Sequence, residues 1–238
     1  MSKFEIQPVQ AFKDTMCNAT VDSLADLAEI GLDSLLEDGI IKDIPAVGFL
    51  VRMGQGITSI KNAITAKRIL VFVQQVRTNS ISDGALQRHI EQLNNSPEKF
   101  NEELETILDY IDKQTGYIKA KILGNFYYSF LKKDINWDDL ILLADIVDAI
   151  SITDIDTLLD LYSKREYLKD DNFDQNRAKR LDRCSLIDYF NGMIVSSKKD
   201  PRKQMMARIN NIGDAFVMIG LKNISNFSFS PNIEGEVD

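Results

Sequence analysis

The most apolar part of the sequence by hydropathy runs from Ile40 to Val76 (IIKDIPAVGFLVRMGQGITSIKNAITAKRILVFVQQV), and helical periodicities flank it on both sides. Val21, Leu24, Ala28, Leu32 and Leu35 recur at helical spacing opposite Asp22, Asp26, Glu29, Asp33 and Glu37, which predicts an amphipathic helix over Val21–Glu37. Thr20 or Asp22 is its cap candidate, and Gly39 stops it. Residues 1–19 show no clear period and read as a partly ordered arm. Pro45 opens the apolar stretch, and Gly48, Gly54 and Gly56 punctuate it, so two helices are predicted, Ala46–Ala63 and Ile64–Val76. The glycines read as sites of close helix approach within a core.

Beyond a polar break at Thr78–Gly84, Ser82 is placed to cap a short helix through Leu93. Ser96-Pro97-Glu98 is a helix start, with Phe100, Leu104, Ile107, Leu108 and Ile111 inward as far as Lys113. Thr115–Lys132 follows, its Phe126, Tyr127, Tyr128 and Phe130 read as core. Asn136 caps Trp137–Ile150, and Asp154–Lys164 closes a bundle of antiparallel neighbours. After Tyr167 the composition changes. A basic helix is predicted from Asp174 to Phe190 with Gly192 as its stop, then strands at Met193–Val195 and Gln204–Ile209 around a turn at Ser197–Arg202. Ile212–Leu221 is a final apolar helix. The expected fold is mainly α: a multi-helix bundle over 20–165, a small winged-helix-like α+β unit over 166–223, and a tail over 224–238.

Few breakers (12 Gly, 5 Pro) and 44% hydrophobic residues suit this class. The net charge is −8, yet residues 164–208 carry twelve Lys/Arg against seven Asp/Glu, so a local basic surface sits within an acidic chain. Cys17 and Cys184 form no CxxC arrangement, which fits a reducing cytoplasm. The opening MSKFEIQPVQAFKD has charges where a signal peptide has an apolar core. The uncharged runs Ile44–Val51 and Met53–Ile60 are eight residues each, short of the roughly 20 a membrane span needs.

Candidate chemistry is sparse. His89 is the single histidine, so any Ser–His–Asp or Cys–His system must use it, and on the polar helix Leu86–Leu93 it reads as solvent-facing. Metal sites built on several His or Cys ligands are excluded by count. Glu102, Glu103, Glu105, Asp109 and Asp112 read as a solvated acidic face rather than a metal cluster, and Asp138, Asp139, Asp154 and Asp156 as first-turn complements to helix dipoles. Gly54-Gln55-Gly56 lacks the strand and the Lys-Ser/Thr pair of a phosphate loop. No catalytic residue, metal or cofactor is indicated. The strongest constellation is basic: Arg177, Lys179, Arg180 and Arg183 on one helix, with Lys198, Lys199, Arg202 and Lys203 near the hairpin tip. A winged helix meets duplex DNA with cations in these two places.

The segments DIPAVGFLVRMGQGITSIKNAI, YIKAKILGNFYYSFLKKDINWDDLILLADIV and MARINNIGDAFVMIGL together resemble the abortive-infection alpha type of bacterial and phage proteins. That resemblance implies a helical protein with a winged-helix-like tail, acting in conflict between bacteria and phages, and it transfers no site residues. The leading expectation is a non-enzymatic intracellular module that binds another protein or itself. Nucleic-acid binding through the basic region is the alternative, and a triggered membrane-active role for residues 40–60 the third.

Overall fold

Within the most apolar stretch of the chain, one helix is enclosed around its whole circumference. Ile69, Leu70, Val71, Phe72 and Val73 are consecutive in one helix, and all are buried. A helix buried on every side must be surrounded by others. The computed structural model describes residues 6–18, 44–53, 60–80, 83–93, 96–165, 168–169, 173–194 and 202–224. Two compact units divide the chain, Met1–Ala144 and Asp145–Asp238. The division falls inside a helix, ahead of the 165/166 boundary read from composition. Among the described residues the first unit is helical: α1 (Ile6–Asn18), α2 (Pro45–Met53), α3 (Ile60–Ser80), α4 (Ala85–Leu93), α5 (Pro97–Lys113), α6 (Tyr117–Leu131) and the start of α7 (Trp137–Ala149). The second holds a 3-10 turn (Ile152–Asp154), α8 (Ile155–Lys164), β1 (Leu168–Lys169), α9 (Gln175–Arg183), β2 (Ile187–Ile194), β3 (Arg202–Ile209) and α10 (Asn211–Ala215), which runs on as a π turn through Phe216–Gly220. The mainly helical class with a small sheet holds. The expected helix over Val21–Glu37 with its stop at Gly39, the glycines Gly54 and Gly56, the cap at Ser82 and the tail past Ile224 lie outside the described residues.

α3 packs against α6, and one position sets how closely. A Cβ on Gly124 of α6 would stand 2.9 Å from the Cβ of Gln75 and 3.2 Å from the Phe72 carbonyl oxygen, both on α3. Beside it the buried amide of Asn125 accepts from Gln75 Nε2 at 2.7 Å and from Asn79 Nδ2 at 2.8 Å. Phe72 lies between Phe12 of α1 and Tyr127 of α6, with ring centroids 6.0 and 5.6 Å away. The glycine at this contact lies on α6, while Gly48 of the glycine-punctuated stretch is buried in α2.

The N-terminal residues are a correction. Residues 6–18 form α1, with Val9, Phe12 and Met16 buried at helical spacing. Thr15 is buried too. Its hydroxyl donates to the Ala11 carbonyl at 2.9 Å and accepts from the Ala46 N–H at 2.9 Å, satisfying one orphan donor at the start of α2. The period is masked in sequence because the buried face of α1 is not wholly apolar: a threonine sits on it, with its hydroxyl occupied.

Helix ends explain a second correction. The expected helix from Asp174 to Phe190 stops at Arg183, and Gly192 lies within β2 opposite Gln204. The stop is a Schellman motif: Leu186 N–H bonds to the Leu181 carbonyl at 3.1 Å and Ser185 N–H to the Asp182 carbonyl at 2.8 Å, with Leu181 and Leu186 both buried. Ser185, at φ 57°, holds the left-handed position that glycine usually fills. α6 ends the same way on Lys133, at φ 67°. With the helix ended, Ile187 and Tyr189 alternate with exposed Asp188 and Phe190, and β2 pairs with β3 from Ile187↔Ile209 to Ile194↔Arg202. β1 adds to the other edge of β3, giving the order β1-β3-β2. The start of α5 departs in a detail: Ser96 occupies the N-cap position without a side-chain cap bond, and Pro97 supplies the first turn. At α7 the expected cap is reciprocal, Asn136 Oδ1 accepting from Asp139 N–H at 2.9 Å and Asp139 Oδ2 from Asn136 N–H at 3.2 Å.

These two backbone constraints predict opposite responses in chemical denaturation. Gly124→Ala should destabilise the chain by about 1–3 kcal/mol, because the methyl meets atoms that cannot swing away. Ser185→Gly should stabilise it by about 0.5–1 kcal/mol, the left-handed strain relieved less the added entropy of the unfolded glycine.

Candidate functional site

The basic residues singled out by the sequence divide into those spent on structure and those free to face a partner. α9 begins at Asp174, whose Oδ1 accepts from Asn176 N–H at 2.8 Å and Arg177 N–H at 3.1 Å. Those two bonds hold its carboxyl below the usual range. Arg177 stays by the same residue, Nε 3.7 Å from Asp174 Oδ2. Arg180 is the firmest structural cation of the set. Its Nε donates to Asp154 Oδ2 at 2.7 Å and its Nη2 to Asp154 Oδ1 at 2.6 Å, a two-pronged grip that raises the guanidinium pKa. Asp154 is only 1% exposed, so it is a buried anion with a dedicated partner and not the surface dipole complement the sequence suggested. Asp156 does remain exposed in the first turn of α8. Lys179 and Arg183 are exposed on α9. Arg202 and Lys203 enter β3 opposite Ile194 and Met193, and Lys198 and Lys199 lie outside the described residues.

In the first unit His89 is not solvent-facing. Its side chain is 13% exposed, with Nε2 2.8 and 3.1 Å from the two oxygens of Glu103. The buried Tyr127 hydroxyl donates to Glu103 Oε1 at 2.6 Å, and burial together with that carboxylate pushes the phenol well above its usual pKa. The His89 ring also meets Phe130 edge-on at 5.5 Å, and Phe130 meets Trp137 at 5.4 Å. Glu103 thus leaves the acidic group with which the sequence placed it. A signal was present: it follows Phe100 by three residues and precedes Ile107 by four, which sets it on the buried face. Among the described residues the contacts of His89 are with Glu103 and Phe130. Cys17 lies beside Arg77 in a small cavity of about 150 Å3, and burial pushes its thiol up, away from the thiolate a nucleophile needs.

A second polar link ties α4 to α6. Asp83 Oδ2 accepts from the Tyr128 hydroxyl at 2.6 Å and Oδ1 from the Ala85 N–H at 2.9 Å. Partial burial works to raise the Asp83 carboxyl, but these hydrogen bonds, with Arg88 and Lys132 nearby, outweigh it and hold the group below its usual value. The Tyr128 phenol is pushed up to about 12, by desolvation first and by Asp83 next.

The remaining acids form a row along α5. Glu98, Glu102, Glu105, Asp109 and Asp112 follow one another by four and three residues, and all are exposed. Among the described residues none of them forms a salt bridge; Asp112 accepts from Thr65 Oγ1 at 3.0 Å, and Arg68 donates to its backbone carbonyl. Alongside lies an open groove of about 360 Å3 between α1, α2, α3 and α5. Its apolar lining includes Phe12, Phe49, Ile69 and Leu108, and Glu105, Asp109 and Asp112 stand on one side. Among the described residues no group of three or more His, Cys, Asp or Glu is arranged to hold a metal ion. No described helix is long and apolar enough to cross a membrane.

Protein-family models, curated proteins and solved structures all yield no match to this chain. Function therefore has to be argued from the surfaces just described.

The Asp83–Tyr128 pair makes a pH prediction. Between the usual carboxylate range and pH 10 Asp83 is ionised and the phenol neutral, folded or unfolded, and the bond's contribution to stability is complete. Between 10 and about 12 the unfolded chain releases a proton that the folded chain keeps, so stability falls. The difference between the phenolate titrations of the wild type and Tyr128→Phe should centre near pH 12, and Asp83→Asn should move that difference curve to lower pH.

Proposed function

We propose that this protein is a non-enzymatic interaction module that works by binding another protein. The observation that carries this reading is the acidic row on α5. Like charges three and four residues apart cost about 0.2–0.5 kcal/mol per pair on a helix surface. Asp109 and Asp112 also stand near the C-terminal end of α5, where the helix dipole disfavours negative charge. A row that local electrostatics opposes gains its reason from a cationic partner. Among the described residues the buried carboxylates are already occupied: Glu103 by His89 and Tyr127, Asp154 by Arg180. What is offered outward is surface. The setting implied by the resemblance to abortive-infection alpha proteins, conflict between bacteria and phages, belongs to the same proposal.

Neutralising the row with Glu102→Gln, Glu105→Gln and Asp109→Asn together should raise stability by about 1 kcal/mol as the repulsion is relieved. In pull-down from a bacterial or phage lysate the same triple variant should lose partners that the wild type retains. Unchanged retention, or turnover of a nucleotide or nucleic acid lost on a single acidic substitution, overturns the reading.

Lys179 and Arg183, exposed on α9 ahead of the β2–β3 hairpin, favour a second reading in which this unit is winged-helix-like and binds nucleic acid. Lys179→Glu with Arg183→Glu should weaken a salt-dependent affinity for DNA or RNA, measured by mobility shift at low salt. Arg180 is unsuitable for that test, because changing it strands the buried Asp154 and reports on folding.

A further inference from the structure

We infer that the groove between α1, α2, α3 and α5 seats a basic amphipathic helix of another protein, its apolar side chains on Phe49, Ile69 and Leu108 and its cations against Glu105, Asp109 and Asp112. This rests on the protein-interaction reading and names the class of partner.

Three features select that occupant. The groove has one apolar lining and one charged edge, so a matching segment must itself be two-faced. The acids on the edge recur at i, i+4 and i+7 along α5, about 10 Å from first to last at 1.5 Å per residue, which meets a facing helix that presents a cation at each turn. Among the described residues of this unit none lies in a strand, so they offer no sheet edge to which an extended peptide could add.

Two segments of this chain do not meet the requirement. Residues 19–43 carry seven Asp/Glu and one Lys, and their charge is repelled by the edge. The basic helix α9 of a second copy buries both of its apolar residues, Ala178 and Leu181, and has no anchor to insert. An anionic lipid surface is opposed by the same acids. The volume, about 360 Å3, stands at the small end of the range of about 300–1,000 Å3 for ligand clefts and suits a few side chains of a docking helix.

The test uses the full chain and two labelled synthetic peptides of about 18 residues: a Leu/Lys amphipathic helix, and the same peptide with every Leu replaced by Ser. Fluorescence anisotropy should show the Leu/Lys peptide binding at least tenfold more tightly. Leu108→Glu, at a half-buried position on the groove, should abolish that preference, and Asp109→Lys, at an exposed position that leaves folding intact, should weaken the Leu/Lys peptide tenfold or more. Glu98→Gln, on the row but outside the groove lining, should change it less than threefold. Equal binding of both peptides, unaffected by Leu108→Glu, overturns the groove while leaving an acidic row that binds cations. No binding of either peptide overturns the groove, while the interaction reading stands or falls separately on the pull-down of the acidic-row variant.

Discussion

The contact between α3 and α6 is the constraint on which the first unit depends. Over Ile69–Val73 α3 is buried on all sides, and such a segment stays in water only when neighbouring helices pack around it. Closure at Gly124 brings the α6 backbone to within a side-chain width of Phe72 and Gln75, and that proximity aligns Asn125 to receive two amide donors from α3. Apolar burial supplies the attraction, and the buried amide sets the register, because sliding either helix would strand a polar group in the core. Phe12 then reaches Phe72 from α1, which is why the N-terminal helix belongs to this core.

Ionisable groups inside the protein follow the same logic. Glu103 and Asp154 are carboxylates withdrawn from water, and each is met by a partner of matching chemistry: a histidine and a phenol in one case, a guanidinium fork in the other. Burying an unpaired carboxylate costs several kcal/mol, so partners of this kind are required for folding. Their presence turns residues that looked like surface charge or spare chemistry into structural ties. It also moves attention outward, to acids on α5 that have been given no such compensation.

The helix termini show how a chain with few glycines can still turn sharply. Ser185 and Lys133 take left-handed conformations at the ends of α9 and α6, and in both places the bonds back to the preceding turn hold them there. Leu186 contributes further by packing where Leu181 is already buried. The strain is small beside the hydrophobic contact it permits. Without a glycine to announce the stop, however, the end of α9 is invisible to local reading.

Local periodicity determined most of the helices. α5, α6, α7 and α8 lie within a residue or two of the positions their apolar spacing predicts, and the returning strand and closing helix are also where the pattern places them. The spacing of the exposed acids on α5 is equally legible, since a helix once predicted fixes which residues share a face. Besides the end of α9 and the bounds of α2 and α3, three things escape a local reading. Helix α1 does so because Thr15 interrupts its inward face and needs Ala46, 31 residues away, to occupy its hydroxyl. His89 and Glu103 read as solvent-facing because each sits in a polar neighbourhood of sequence, and only the packing of α4, α5 and α6 makes them partners. The groove needs four helices to exist at all. A sequence sets what each element presents on its own faces through rotations of about 100° per residue; which faces meet, and which are left open to a partner, is decided by long-range packing that no local window contains.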